Sequence, residues 1–440
     1  MWLLPVFAGI CNTAVRLFYR FEALGPAPPG SGPLLLVANH PNSLVDPALV
    51  TAAAGRSVRF LAKAPLFTHP LIGWLIRASG AIPVYRRSDD PSLASRNEEM
   101  FAAVFTALSH GAAIGVFPEG VSHSQPSLAD LKTGSARIAL GFAARRGEPL
   151  AVVPTGLVLR DKGRFRSAVI AVHGEPIAWA DLAARGEEDV AAVRELTRRI
   201  DEGLRQVTIN LDSWKDQPLV EGAQAIWAAE IEADSDDEDA LTRIQASASI
   251  LSQVRSESDP QSMALAGELT AHCRRLHRLG MEPVDLGARV DLTTALRWAA
   301  RRLVWLGPPV ALVAVSGFLL YLIPFHVTGL VIRAARPPAT QRSTYQILIG
   351  AVVYLAWILL VALAIGHWFG IGWGLFAFAL LPSIGITGMW IRERWRGYWS
   401  DIRRFFLIRS RLHLIQHLRE RQEDLAGKLD RLVRDWREKH

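Results

Sequence analysis

From residue 30 to about 180, short apolar runs alternate with segments whose apolar positions recur at helical spacing. The runs are Leu34–Ala38, Val58–Leu61, Ala81–Tyr85, Ala113–Phe117, Leu150–Thr155 and Ala168–His173, each four to six residues long. Pro91–Ser109 and Leu131–Arg145 carry the helical period between them. Strand and helix in alternation predict an α/β domain, assigned to 30–215, with a mostly parallel sheet covered by helices. In such sheets ligands bind at the carboxyl ends of the strands.

The flanks follow other patterns. Residues 1–21 are apolar, with Arg16 and Arg20 one helical turn apart and Trp2, Leu3, Phe7, Ile10 and Phe18 near helical spacing. They lack the early positive charge and cleavage site of a secretory signal. Residues 1–29 therefore predict an in-plane amphipathic anchor, with a core helix of the next domain as the alternative. Residues 187–300 are helical in pattern. Within the linker region 216–300, the stretch 216–240 holds nine acidic residues and no Lys or Arg, the signature of a solvated linker.

Two runs lack Asp, Glu, Lys and Arg: Leu303–Ile332, 30 residues, and Tyr345–Ile391, 47 residues. A bilayer-spanning helix needs about 20 apolar residues, so the chain predicts an integral membrane protein with its membrane region at 301–392. The positive-inside bias favours one side of the membrane for the basic clusters Arg301–Arg302, Arg333, Arg336 and Arg342, and Arg392, Arg394 and Arg396. The alternative of three simple spans puts the middle cluster or the tail on the other side. The clusters share one side if the first run, interrupted by Pro308, Pro309 and Pro324, is re-entrant over 303–332. The second run is then a hairpin over 345–391, turning near Gly366–His367, and the α/β domain is cytoplasmic (at the inner membrane if the cell is bacterial). Residues 393–440 form a basic amphipathic tail, where Leu418, Leu425, Leu429, Leu432 and Trp436 give an apolar stripe for packing or self-association.

Charge and cysteine content sharpen this. The net charge is +7, and residues 392–440 supply +6 of it, with 14 Lys/Arg against 8 Asp/Glu. A basic tail beside a membrane segment suits anionic lipid headgroups. No zinc spacing or nucleic-acid module is present, so nucleic acid is not an expected partner. Cys11 and Cys273 build neither a disulfide framework nor a metal cluster, which fits a reducing, cytoplasmic setting.

Candidate chemistry centres on NHPNSLVDP, Asn39–Pro47. On one helix, residues six apart are rotated by about 240° and cannot meet. His40 therefore belongs to the turn after the strand, with Asp46 reaching back from the first turn of a helix. A neutral imidazole there can take a proton from a hydroxyl while the carboxylate holds its tautomer. A lone His/Asp pair is commonly structural, but other strand ends add to it. Ala113–Phe117 runs into Pro118-Glu119-Gly120, Ala81–Tyr85 into Arg86-Arg87, and Val58–Leu61 towards Lys63. Leu131-Lys132-Thr133-Gly134 precedes a helix. Cations gathered around a histidine base describe a site for an anionic, hydroxyl-bearing substrate.

Four motifs in order, NHPNSLVDP, GAIPVYR (Gly80–Arg86), FPEG (Phe117–Gly120) and VVPTGL (Val152–Leu157), resemble those of the glycerophospholipid acyltransferases. That superfamily comprises the glycerol-3-phosphate and lysophosphatidate acyltransferases. The resemblance implies transfer of a fatty acyl group from a thioester donor, acyl-CoA or acyl carrier protein, to a hydroxyl of glycerol-3-phosphate. Acylation of lysophosphatidate is the alternative, and no cofactor is implied. His40 would be the base and Asp46 its orienting acid. Arg86, Glu119 and Gly120 would hold the phosphorylated acceptor, with Ser122, Lys132, Lys63 and Asn42 as further substrate contacts. Five residues separate His40 from Asp46, which looks like the yeast-type glycerol-3-phosphate/dihydroxyacetone-phosphate acyltransferases.

Other classes fit less well. A metal site of His40, Asp46, Glu119 and His123 has suitable ligand types but matches no zinc spacing, so no metal is expected. A transporter would need ionisable residues along its pathway, and the apolar runs hold no Asp, Glu, Lys or Arg. His173, at a strand end, is a candidate core histidine.

Overall fold

The computed structural model describes residues 3–70, 72–85, 97–159, 161–211, 213–230, 260–287, 300 and 308–439. The chain divides into two compact units, residues 1–212 with 337–347, and residues 213–336 with 348–440.

In the first unit, α1 (Leu3–Phe18) leads into a seven-stranded sheet. Its strands are β1 (Arg20–Leu24), β2 (Leu34–Ala38), β3 (Val58–Lys63), β4 (Ile82–Val84), β5 (Ala113–Val116), β6 (Ala151–Leu159) and β7 (Ala168–His173). The order across the sheet is β1-β7-β6-β2-β5-β3-β4, and every pairing is parallel except β6 with β7. Helices α2 (Val45–Ala54), α3 (Ala64–Phe67), α4 (Gly73–Ala78), α5 (Asn97–Ser109), α6 (Gly134–Arg146) and α7 (Val190–Val207) complete the unit. Strand β2 is central, with Leu34 in register with both Ala113 and Ala151, and all five of its residues are buried. A strand covered on both faces carries a continuous apolar run rather than an alternating one, which is why Leu34–Ala38 stands out in the sequence.

All six expected strands form. The seventh, β1, was absent from the sequence reading because Arg20–Leu24 is polar at the edge, with only Phe21 and Leu24 partly buried. The N-terminal segment is also not a free anchor. Val15, Phe18 and Tyr19 belong to the core cluster that includes β2 and α2, so the core-helix alternative describes the end of α1. Val6, Ile10 and Leu17 stay exposed on its other side.

In the second unit, α8 (Gln217–Glu230), α9 (Pro260–Leu279) and the tail helix pack together. Numbered in chain order, α10 is Pro308–Ala335, α11 is Arg342–Phe369, α12 is Ile371–Ser410 and the tail helix α13 is Leu412–Lys439. Ala223 and Ile226 of α8, Leu269 of α9, and Leu425, Ala426 and Leu429 of α13 share one apolar cluster. Leu276, Met281, Leu286, Ile415 and Leu418 share a second. Leu418, Leu425 and Leu429 of the tail stripe are thus covered within the chain. Gln217–Glu230, expected as solvated linker, is a packed helix: Val220, Ala223 and Ile226 recur on one face, a periodicity that the acidic count obscured. The run DSDDED lies outside the described residues.

Among the described residues, three helical stretches are long and apolar enough to cross a membrane: Val310–Ala335, Arg342–Phe369 and Ile371–Trp395. They make this a membrane-associated protein. The re-entrant segment expected at 303–332 is not formed, because α10 continues through Pro324 for 28 residues. That is a length of about 42 Å at 1.5 Å per residue. An apolar setting favours keeping the helix, since a chain turning back in lipid would strand its backbone polar groups. The second run does turn close to the expected place, at Gly370 with φ 101° between α11 and α12. Gly366 and Gly374 pack backbone to backbone there, and Gly317 meets Gly388 across α10 and α12. Small residues let such helices approach closely.

Candidate active site

Six residues, Asn39–Leu44, connect β2 to α2 and form the turn. Asn39 ties it to β6: its Oδ1 accepts from Leu157 N at 2.7 Å and its Nδ2 donates to Leu157 O at 3.1 Å. Ser43 takes φ 52°, a left-handed conformation uncommon for a residue with a Cβ, and its N–H donates to Ser122 Oγ at 3.0 Å. Asp46 stands in the first turn of α2 and is fully buried. Its Oδ2 accepts from Asn42 N at 2.6 Å and lies 2.8 Å from His40 Nδ1. An ionised carboxylate only accepts, so the hydrogen bond assigns the imidazole proton to Nδ1, a tautomer whose Nε2 can accept a proton.

Access separates the two partners. The His40 side chain is 19% exposed and that of Asp46 is 0%. The imidazole stacks on Phe117, with centroids 4.1 Å apart, and Phe117 in turn stacks on Phe60. Burial pushes the Asp46 carboxyl above its ordinary value, against hydrogen bonds from His40 and Asn42 and the positive field of Lys162. Among the described residues Asp46 Oδ1 is buried without a hydrogen-bond partner.

The FPEG loop closes onto this turn. Glu119 is 2% exposed; its Oε1 accepts from His40 N at 2.6 Å, and its Oε2 accepts from Ala129 N at 3.1 Å and meets His123 Nε2. His123 N donates to His40 O at 3.2 Å. Gly120 takes φ 74°, which lets its N–H turn back to Phe117 O at 3.0 Å. Lys132 N donates to Pro118 O at 2.7 Å, and the exposed Lys132 side chain lies alongside Gly120. The Glu119 carboxylate therefore clamps backbone of both loops, with its oxygens directed inward.

The expected site residues separate into groups. His40, Asp46, Glu119, Gly120, Ser122 and Lys132 come together around the turn. Lys63 ends β3, exposed on the same edge of the sheet, but β5 stands between β3 and β2. Asn42 is 0% exposed and lies beneath the turn, so it holds the turn rather than meeting substrate. Arg86 and Arg87 lie outside the described residues; GAIPVYR is described as far as Tyr85, whose backbone bonds twice to Asn97. His173 is buried with Nδ1 against Thr155 Oγ1 at 2.9 Å, a core histidine whose basicity burial lowers.

The sequence reading missed Lys162. It sits in the turn between β6 and β7, and its Nζ donates to Pro41 O at 2.9 Å and Ser124 Oγ at 3.3 Å. Burial lowers its pKa while Asp46 and Glu119 oppose that shift. The available signal was the apolar run of VVPTGL, which continues to Leu159 and so carries Lys162 back over the strand ends.

Residues 20–158 match the Acyltransferase family model. Glycerol-3-phosphate O-acyltransferase 2 of Saccharomyces cerevisiae is 34% identical over 30% of this chain and 18% of its own length. The chloroplastic 1-acyl-sn-glycerol-3-phosphate acyltransferase LPAT1 of Arabidopsis thaliana is 30% identical over 33% of this chain and 38% of its own length. An uncharacterized acyltransferase of Schizosaccharomyces pombe is 23% identical over 82% of this chain and 66% of its own length. The chain thus spans less than a fifth of the yeast glycerol-3-phosphate acyltransferase it matches. Motifs, match and geometry coincide on one segment, residues 20–158, which matches the Acyltransferase family model and is similar to glycerol-3-phosphate and 1-acylglycerol-3-phosphate acyltransferases.

Proposed function

We propose that the protein transfers a fatty acyl group from a thioester to a hydroxyl of glycerol-3-phosphate at a membrane surface. One observation carries the reading: a buried carboxylate 2.8 Å from His40 Nδ1, on a ring that remains partly exposed. His40 Nε2 takes the acceptor's hydroxyl proton as the oxygen attacks the thioester carbonyl. The new C–O bond forms, the C–S bond breaks, and the leaving thiolate takes the proton from the imidazolium. Asp46 keeps the tautomer and stabilises that cation. The thioester is already activated, so alignment of donor and acceptor suffices. Burial pushes the Cys11 thiol up to about 11 and also raises that of Cys273, so neither offers a thiolate nucleophile near neutrality.

Gly120, Ser122 and Lys132 border the exposed side of His40's turn and are proposed to receive the acceptor phosphate, with Arg86 and Lys63 as further cations. Glu119 serves by fixing the loop that presents them. Acyl-CoA or acyl carrier protein is the proposed donor, and the basic tail meets anionic lipid on the cytoplasmic face. A second reading, acylation of 1-acylglycerol-3-phosphate, draws on the plant relative named for that acceptor.

The test uses purified full-length protein in lipid vesicles with labelled acyl-CoA or acyl carrier protein, offered each acceptor separately. Lysophosphatidate from glycerol-3-phosphate is the expected product. Product only from 1-acylglycerol-3-phosphate selects the second reading, and no product from either acceptor overturns both. His40→Ala should lower turnover by at least about a thousandfold, the scale of losing a general base, without loss of vesicle association.

A further inference from the structure

Beneath the catalytic turn lies a buried polar network that the reaction itself does not call for. Asn42, Tyr19 and Ser343 are each 0% exposed. Asn42 Nδ2 donates to Tyr19 Oη at 3.1 Å, and Tyr19 Oη donates to Lys162 O at 2.8 Å. Burial pushes the Tyr19 phenol up to about 12, so it remains a donor across the working range. The fourth member comes from far along the chain: Ser343 Oγ donates to Asn42 Oδ1 at 2.7 Å across 301 positions. Asn42 N then donates to Asp46 Oδ2, the oxygen that faces His40.

The segment carrying Ser343 is held as part of the same unit. Residues 337–347 group with the catalytic unit, Ile347 packs against its core, and Gln346 Nε2 donates to Gly163 O at 2.9 Å. Arg342 lies against Gly163, where a Cβ would stand 3.2 Å from Arg342 Cδ. Ser343 is in the first turn of α11, a helix long and apolar enough to cross a membrane.

We propose that Ser343 is a positioning residue for acyl transfer: by fixing Asn42 beneath the turn it holds the Asp46–His40 pair in register. A residue from the start of a membrane helix thereby completes a site whose reacting groups lie 300 residues upstream. The physical reason is satisfaction of a buried amide. With Ser343 Oγ removed, Asn42 Oδ1 has no described donor, and a buried acceptor without one drives its side chain and the attached backbone N–H to rearrange. That backbone N–H is one of the two groups that aim the Asp46 carboxylate.

The kinetic arm rests on the acyl-transfer reading, and a second arm does not. In full-length protein in vesicles, Ser343→Ala should lower kcat about tenfold, with donor and acceptor KM within twofold of wild type. Asn42→Ala, which also removes the bond to Tyr19, should give at least that loss, and the double variant no more than Asn42→Ala alone, since Ser343 acts through Asn42. Thr344→Ala removes a neighbouring buried hydroxyl with no partner among the described residues and should leave kcat within twofold. Additive losses, a changed KM with kcat intact, or an equal loss in Thr344→Ala would overturn the proposal. The independent arm follows the His40 titration by NMR of 13C-labelled histidine, assigned through His40→Gln. Ser343→Ala should shift its midpoint and Thr344→Ala should not; an unmoved midpoint overturns the proposal even if no acceptor is ever acylated. Should Ser343→Ala fail to fold, Ser343→Cys, near in size but a weak donor, makes the same comparison.

Discussion

Two of the described histidines, one in each unit, are held in hydrogen-bonded knots, and their difference shows what would turn such a knot into a catalytic group. In the first, His40 faces a carboxylate, stacks on Phe117 and keeps a fifth of its side chain exposed. In the second, His272 of α9 faces the amide of Gln422 on α13 at 3.3 Å and is 2% exposed. Gln422 also donates to Glu230 Oε1 at 2.6 Å and to Pro283 O at 3.0 Å, which joins α8, α9 and α13. Both knots hold a histidine, but of the two only the first pairs it with a carboxylate and leaves its ring partly exposed. In the proposed reaction Asp46 stabilises an imidazolium, whereas Gln422 ties helices together.

Asp46→Asn tests that contrast most severely. Asparagine keeps the shape but can donate to Nδ1, so the wrong nitrogen carries the proton. Turnover should fall by a factor on the order of 10³ to 10⁴, as when the orienting acid of a triad is amidated. Stability should move the other way. A carboxyl whose pKa is raised by folding stabilises fully below its unfolded value of 3.8, and that contribution is lost as pH rises through the folded value. At neutral pH Asp46 is therefore a cost, and Asp46→Asn should melt at or above the wild-type temperature. A variant that is both less stable and fully active would place Asp46 with the structural knot.

Lys162→Met makes a smaller change to the same site. It removes two hydrogen bonds, to Pro41 O and Ser124 Oγ, and a charge that favours the Asp46 carboxylate. With the charge gone, the His40/Asp46 pair holds its proton to higher pH, so the acid limb of the kcat profile should move upward. A loss in kcat of about tenfold is expected, close to 1.4 kcal/mol. Lys162→Arg should keep the limb near its wild-type position. An unmoved limb in Lys162→Met would assign Lys162 to loop geometry alone.

How far this was legible in the sequence follows from the same two regions. The sheet could be read because β2, β5 and β6 are covered on both faces and so carry unbroken apolar runs. The pairing of His40 with Asp46 could be read because a helix forbids it, leaving only the turn. Tyr19, Lys162 and Ser343 could not, since each acts across a long sequence separation and none stands in a motif. Glu119 was found, but its direction was not: only the fold shows both its oxygens turned to backbone. In the second unit, run length identified the apolar helices, whereas Pro324 was weighted as a break that α10 does not make. The acidic stretch hid the face of Val220, Ala223 and Ile226 because charge count and periodicity gave opposite signals.

Gln422→Leu should have the smallest effect on activity and is the cleanest check that the second knot is structural. It leaves Pro283 O and Glu230 Oε1 without the amide and His272 without its partner. The expected cost is about 1–3 kcal/mol, that of unsatisfied buried polar groups, with kcat unchanged below the melting transition. Changing His272 to Leu as well should recover part of the loss, because removing both partners is milder than removing one. The pH dependence adds a sign that separates the knots. Burial lowers the pKa of His272, so its stabilising contribution is complete above the unfolded value of 6.5 and is lost as pH falls towards the folded one. Asp46 behaves oppositely, losing its contribution as pH rises. Thermal melts between pH 5 and 8 should therefore show an acid-side loss in wild type, shared by His272 and the buried His173, that His272→Leu reduces and Asp46→Asn leaves in place. If His272→Leu instead altered the pH profile of kcat, the second knot would belong to catalysis, and an amide partner would suffice where a carboxylate is here held to be necessary.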